Sequence, residues 1–194
     1  MGTGTGSRSV RDELLRRWNE PHRSYHTVSH LAAVLGVIDD VAAAEPEADP
    51  MAVELAAWFH DVVYDPRRAD NEEASAALAA GLLPPIGVEP KRVAAVVDLV
   101  RMTKTHTPTN AEARVLSDAD LAVLARPARD YDAYVAAVRE EYAFVPDDGW
   151  RRGRAAVLDG LLARVPLYSP APMQQLERAA RANLTRELRD LRGH

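Results

Sequence analysis

The sequence predicts an all-α fold, a compact helical bundle, and three observations carry that prediction. Alanine, leucine, arginine and glutamate dominate the 194 residues, and these are strong helix formers. Apolar residues recur at helical spacing through most of the chain, the pattern of amphipathic helices. Runs of β-branched residues and Asn-Gly turns, the marks of strands and hairpins, are scarce.

In chain order, helices are expected over roughly 10–19, 27–44, 50–60, 71–82, 90–102, 118–125, 129–142, 147–164 and 172–190. The breaks between them are Glu-Pro-Glu-Ala-Asp-Pro (45–50), Asp-Pro (65–66), Leu-Pro-Pro-Ile-Gly (83–87), Arg-Pro (126–127) and Val-Pro-Asp-Asp-Gly (145–149). Proline stands at or just before several of the starts, where its missing N–H costs no helical hydrogen bond. For the sixth helix, Ser117 or Asp118 is the expected N-cap. In the seventh, Tyr131, Tyr134 and Tyr142 with Val135 and Val138 form the expected buried stripe. Trp58 and Phe59 are expected in the core.

Met-Gly-Thr-Gly-Thr-Gly-Ser at the start has neither the charged nor the apolar stretch of a signal peptide. Residues 1–9 are therefore expected as a disordered tail, with 10–194 forming one domain. An apolar content of 47% suffices for a single core in a chain of this length. No apolar run approaches the roughly 18 residues of a membrane span. The absence of cysteine excludes disulfide scaffolds, thiol catalysis and Cys-ligated zinc, and is compatible with a cytoplasmic protein. A net charge of −5 argues against bulk nucleic-acid binding, which needs a dense basic surface. A few arginines still suffice for one small phosphorylated molecule.

The most informative residues are His60 and Asp61, which follow the apolar run Ala-Val-Glu-Leu-Ala-Ala-Trp-Phe (52–59). An imidazole and a carboxylate where an apolar helix meets a polar loop suit a shared ligand. Upstream lies Tyr25-His26-Thr-Val-Ser-His30, whose two histidines are four apart and share a helix face. Downstream lies Ser117-Asp118-Ala119-Asp120-Leu121. Two nitrogens and two carboxylate oxygens form a mixed donor set suited to Mn, Fe, Co, Ni, Zn or Mg.

The order His…His-Asp…Asp on separate helices resembles the HD-domain metal-dependent phosphohydrolase superfamily. The fuller series Tyr-His-Thr-Val-Ser-His, Trp-Phe-His-Asp-Val-Val-Tyr-Asp-Pro, Asn-Glu-Glu-Ala-Ser-Ala, Thr-Lys-Thr-His and Ser-Asp-Ala-Asp-Leu-Ala-Val-Leu is similar to a bacterial branch of predicted HD-superfamily hydrolases. The resemblance covers residues 10–165 and implies a helical bundle of the HD-domain type. It implies a divalent metal held by His30, His60, Asp61 and either Asp118 or Asp120, with Asp118 favoured. It further implies a catalytic role for Asp61, a general base at Glu72, and a phosphate or second-metal role for His106. His26, Arg68 and Lys104, with Arg67 beside them, are candidate substrate contacts, because guanidinium and ammonium groups bind phosphate.

The expected function is metal-dependent hydrolysis of a small phosphorylated metabolite, with a nucleotide as the first expectation. No glycine-rich phosphate loop occurs, so phosphate recognition falls to the metal and basic side chains. Two alternatives stand beside it. One is a non-catalytic nucleotide-binding or sensing module. The other is a di-iron oxidative enzyme, for which His26 and His106 are the candidate extra ligands. The Arg-rich segment 178–192 reads as a salt-bridged solvated face or as a homodimer contact.

Overall fold

The computed structural model describes residues 3–169 and 171–193, and among these every regular element is helical. The elements are α1 (Thr3–Trp18), α2 (Val28–Val41), α3 (Pro50–Phe59), α4 (Asn71–Leu82), α5 (Pro90–Met102), α6 (Ala111–Asp120), α7 (Ala128–Glu141), α8 (Asp147–Leu162), α9 (Ala171–Gln174) and α10 (Glu177–Arg192). Short 3-10 turns lie at Ala42–Ala44, Pro84–Ile86 and Leu121–Ala125. No helix among the described residues is long and apolar enough to cross a membrane.

Local chemistry explains the starts. Thr27 accepts from the amide of Ser29 at the head of α2. Asp49 caps the amides of Met51 and Ala52 at the head of α3, with Pro50 in the first turn. These side chains satisfy amides that the helix itself leaves unpaired.

Three expectations need correction. Residues 3–9 are helical rather than a disordered tail, while residues 1 and 2 lie outside the described residues. A Cβ on Gly6 would stand 3.5 Å from Ile86 Cγ2, so this end of α1 rests against the turn Pro84–Ile86, and that contact outweighs the poor helix propensity of its glycines. The sixth helix starts at Ala111, with Asn110 accepting from the amide of Ala113 as its cap. Asp118 and Asp120 therefore sit in its last turn rather than its first. The final expected helix is split into α9 and α10.

The core centres on α6, which buries Ala111, Ala113, Val115, Leu116, Ser117, Asp118 and Ala119 and packs against α2, α3 and α5. Small residues of α3 (Ala52, Ala56 and Ala57, all fully buried) allow close approach. Trp18, Phe59 and Leu116 have no exposed surface, and burying such side chains contributes about 1.5–3 kcal/mol each. Trp58, by contrast, is only half-buried.

One buried cation ties the loops together. The Arg23 guanidinium donates to the carbonyls of His26 (3.0 Å), Asp61 (2.7 Å) and Val62 (3.0 Å), and also to the Glu20 carboxylate (3.1 Å). It joins the loop before α2 to the loop after α3. Replacing it by Arg23→Met leaves three carbonyls without their donor, and each buried orphan costs about 1–3 kcal/mol. We therefore expect Arg23→Met to lower unfolding free energy in urea by about 3 kcal/mol or more; a loss below 1 kcal/mol would refute the assigned role.

Candidate metal centre

Three helix ends converge on one point. His30 stands in the first turn of α2, His60 caps the C-terminus of α3, and Asp120 is the last residue of α6. Their ligand atoms lie within 4.8 Å of one another. His30 Nε2 is 3.2 Å from His60 Nε2 and 3.1 Å from Asp120 Oδ1. His60 Nε2 is 3.6 Å from Asp120 Oδ1 and 3.3 Å from Asp61 Oδ2. Both imidazoles are buried. The rings pack beside Trp18, whose centroid is 6.2 Å from that of His30 and 5.4 Å from that of His60.

One hydrogen bond orients the His60 ring. His60 Nδ1 donates to the Ala57 carbonyl at 2.8 Å, so Nε2 is the ring atom that faces another imidazole nitrogen and two carboxylates. Burial opposes a charge on His60. The Asp61 and Asp120 carboxylates and the hydrogen bonds to Asp120 and Ala57 outweigh it and raise its pKa to about 9. Burial lowers the pKa of His30, only partly offset by Asp120. Burial also disfavours the Asp120 carboxylate, but His60, His30 and His106 overcome this and hold it well below the ordinary carboxylate range. Asp61 and Asp120 moreover stand at the negative ends of α3 and α6, where a cation is favoured.

A divalent ion fits these residues. Donor atoms about 2.0–2.2 Å from a shared ion stand about 2.8–3.6 Å apart, by octahedral or tetrahedral geometry. The separations around His60 and Asp120 fall in that interval.

The structure brings Asp120, and not the favoured Asp118, to this point. Residues two apart on a helix project to nearly opposite sides, so only one of the pair can reach His30. Asp118 turns away and accepts from the Ser169 amide at 2.7 Å through Oδ2, while its buried Oδ1 has no hydrogen-bond partner among the described residues. Burial pushes its pKa up to about 7, against the Ser169 amide.

Two further histidines flank the centre. His26 Nδ1 donates to Glu141 Oε2 at 2.6 Å, which turns Nε2 toward Asp61, 3.8 Å from its Oδ2. His106 Nε2 lies 3.3 Å from Asp120 Oδ2. His106 holds a left-handed backbone with φ of 48°, a costly conformation outside glycine. Arg164 steadies it by donating to the His106 carbonyl at 2.7 Å and to the Thr105 carbonyl.

Glu72, Arg68 and Lys104 line a cleft of about 800 Å³ that opens onto Asp61 and Asp120, and Arg67 does not line it. Glu72 pairs with Lys104 at 3.6 Å, and Lys104 also donates to the Ala69 carbonyl at 2.6 Å. Arg68 faces the cleft while paired with Asp70 at 2.8 Å. Arg67 stacks on Phe144, 4.4 Å from the ring centroid. Tyr134 and Tyr142, expected as core, are half-buried and line the same cleft.

Sequence reasoning missed Glu141 and Arg23. Glu141 Oε1 accepts from the amides of Ser24, Tyr25 and His26 (2.8–2.9 Å), and Oε2 accepts from His26 Nδ1 and from Tyr64 Oη (2.8 Å). Nothing local marks it, because its partners are 77 or more residues upstream in the chain. Burial disfavours its charge, but the His26 side chain and the His26 and Tyr25 amides prevail and hold its pKa at about 2.

No family model, curated protein or solved structure matches the chain.

Metal titration separates the two aspartates. Asp120→Asn is expected to weaken Mn binding by more than the roughly 10–100-fold that loss of an outer partner costs, while Asp118→Asn stays near the wild type; equal losses would refute the geometry. The carboxylate of Glu141, held below its ordinary value of 4.5, contributes stability that is present above that value and lost as pH falls towards 2. Its share is about 3 kcal/mol. Glu141→Gln should flatten acid unfolding between pH 4.5 and 2, and an unchanged pH profile in that variant would count against the network.

Proposed function

We propose that the chain is a metal-dependent phosphohydrolase of the HD type, acting on a small phosphorylated metabolite with a nucleotide as the leading class. One observation carries the reading: His30, His60 and Asp120 gather ligand atoms within 4.8 Å of one another, with Asp61 3.3 Å from His60 and a large cleft opening onto Asp61 and Asp120. The ordered motif in the sequence supports the same reading. A divalent ion held there supplies a Lewis acid for a phosphoryl oxygen and lowers the pKa of water.

The chain's own residues do the rest. Asp61 and Asp120 keep the negative charge that retains the cation. His26, oriented by Glu141, turns its second ring nitrogen toward Asp61, where an imidazole can serve in proton transfer. Glu72 lies farther along the cleft wall against Lys104, where that pair suits phosphate contact as well as proton transfer. Lys104, Arg68 and His106 offer the positive and hydrogen-bonding groups that a phosphate needs without a glycine loop.

A second reading, oxidative chemistry on two irons, has one observation in its favour. Asp120 turns Oδ1 to His30 and Oδ2 to His106, so one carboxylate has imidazoles on both sides.

Elemental analysis of the purified protein, with phosphate release from nucleotides in added Mn, Co, Ni or Mg, tests both. We expect a single ion per chain and metal-dependent phosphate release. His60→Ala and Asp61→Ala should lose both while keeping the far-UV helical signal. Full turnover in either variant would sink the assignment, and two irons without phosphate release would favour the oxidative reading.

A further inference from the structure

The cleft beside the centre is much larger than a phosphate group requires. At about 800 Å³ it falls within the roughly 300–1,000 Å³ of sites that bury a drug-sized ligand. Its two ends differ in chemistry. One end carries the ionisable groups already described, around Asp61 and Asp120. The other is walled by α7 and α8, with Val138, Tyr142, Trp150, Val157 and Leu161 facing the space.

The α8 wall is apolar where a surface helix is ordinarily polar. Trp150, Gly153, Val157 and Leu161 are spaced three, four and four residues apart, and so share one face. Ala155 and Leu158 on another face are buried in the core. Val157 nevertheless keeps 53% of its surface exposed, one of the few large apolar side chains so exposed among the described residues. Beside it Gly153 leaves open space: a Cβ built there would meet no atom within 4 Å.

Two aromatic rings stand together at this end, with the Arg139 guanidinium over Trp150, 5.4 Å from its centroid. Tyr142 and Trp150, which both line the cleft, have centroids 5.7 Å apart at 41°. Aromatic groups at such separations favour offset or tilted partners. The buried Arg154 guanidinium, which also reaches this end, is committed to Glu187 at 2.7 Å and to Tyr134 Oη at 3.2 Å. It therefore offers little charge to a ligand.

We infer that the α8 wall seats a flat ring system carried by the substrate, and that Gly153 sets the size of ring admitted. The inference rests on the proposed reading that a phosphoryl group occupies the His/Asp end. An aryl phosphate or a nucleotide has the apolar faces this wall can cover. A polyol phosphate does not.

Calorimetric titration of the full chain, with and without Mn, using methylphosphonate, phenylphosphonate and 1-naphthylphosphonate, tests the inference without requiring turnover. The Mn-loaded protein is expected to bind 1-naphthylphosphonate at least about 10-fold more tightly than methylphosphonate, from the apolar area covered. Gly153→Leu should bring that ratio close to one, and so should Val157→Asp, a change at an exposed position. Gly153→Ala should keep most of the preference. Equal affinity for the three phosphonates, or a preference that survives both Gly153→Leu and Val157→Asp, overturns the inference and leaves the metal centre standing. An aryl preference that is independent of Mn and lost in both variants supports the ring seat and refutes the phosphohydrolase reading instead. If no phosphonate binds, both fall.

Discussion

Two loops about forty residues apart in sequence are held together by one buried guanidinium, and the arrangement of the centre follows from that contact. Arg23 bonds the carbonyls of His26, Asp61 and Val62 while lying over the rings of Trp18 and Tyr64, 5.5 and 5.4 Å from their centroids. In a poorly solvated interior each of these bonds is strengthened, and each would be costly to lose. The guanidinium therefore places the loop carrying His26 against the one carrying Asp61. Glu141 completes the join from α7 by collecting three consecutive amides of the same loop. His30 follows one helical turn later, already aimed at His60.

The molecule contains two buried polar clusters that meet the same physical problem differently. Around Glu187, a carboxylate in the interior is matched by Arg154 and by the hydroxyl of Tyr131, with Tyr134 accepting from the same guanidinium. That network supplies its own donors. Around His60, carboxylates and imidazole nitrogens face one another at the negative ends of α3 and α6. Here no arginine or hydroxyl among the described residues matches the carboxylates, and the buried His30, His60 and Asp120 group could hold a metal ion. The contrast separates a polar network that serves the fold from one that leaves room for a ligand.

The cleft extends this logic outward. Its charged end continues from the centre through Lys104 and His106. Its apolar end is made by α7 and α8, which α10 and the turn Leu121–Ala125 buttress from behind. Since Arg154 and Glu187 neutralise each other beneath Tyr134, the wall can be aromatic and apolar without a stray charge under it. A ligand with one anionic end and one flat apolar end matches both halves of the cleft.

Much of this was legible in the chain itself. Helical periodicity and capping chemistry act between residues three or four apart, so the all-α class and the starts at Pro50, Asn71, Pro90 and Asp147 follow from local sequence. The pair His60-Asp61 and the neighbouring His26 and His30 stood out for the same reason: their chemistry is concentrated in a few adjacent positions. The choice between Asp118 and Asp120 was not legible, because it depends on the phase of α6, and Asn110 rather than Ser117 begins that helix. Glu141, Arg23 and Trp150 were silent as well, since each acquires its role from partners brought near only by packing. The sequence by itself determined the helical class and singled out the imidazoles and carboxylates that are candidates to hold a cation. The tertiary structure decided which of those side chains meet, because a helix's rotation about its own axis is set by what it buries against its neighbours.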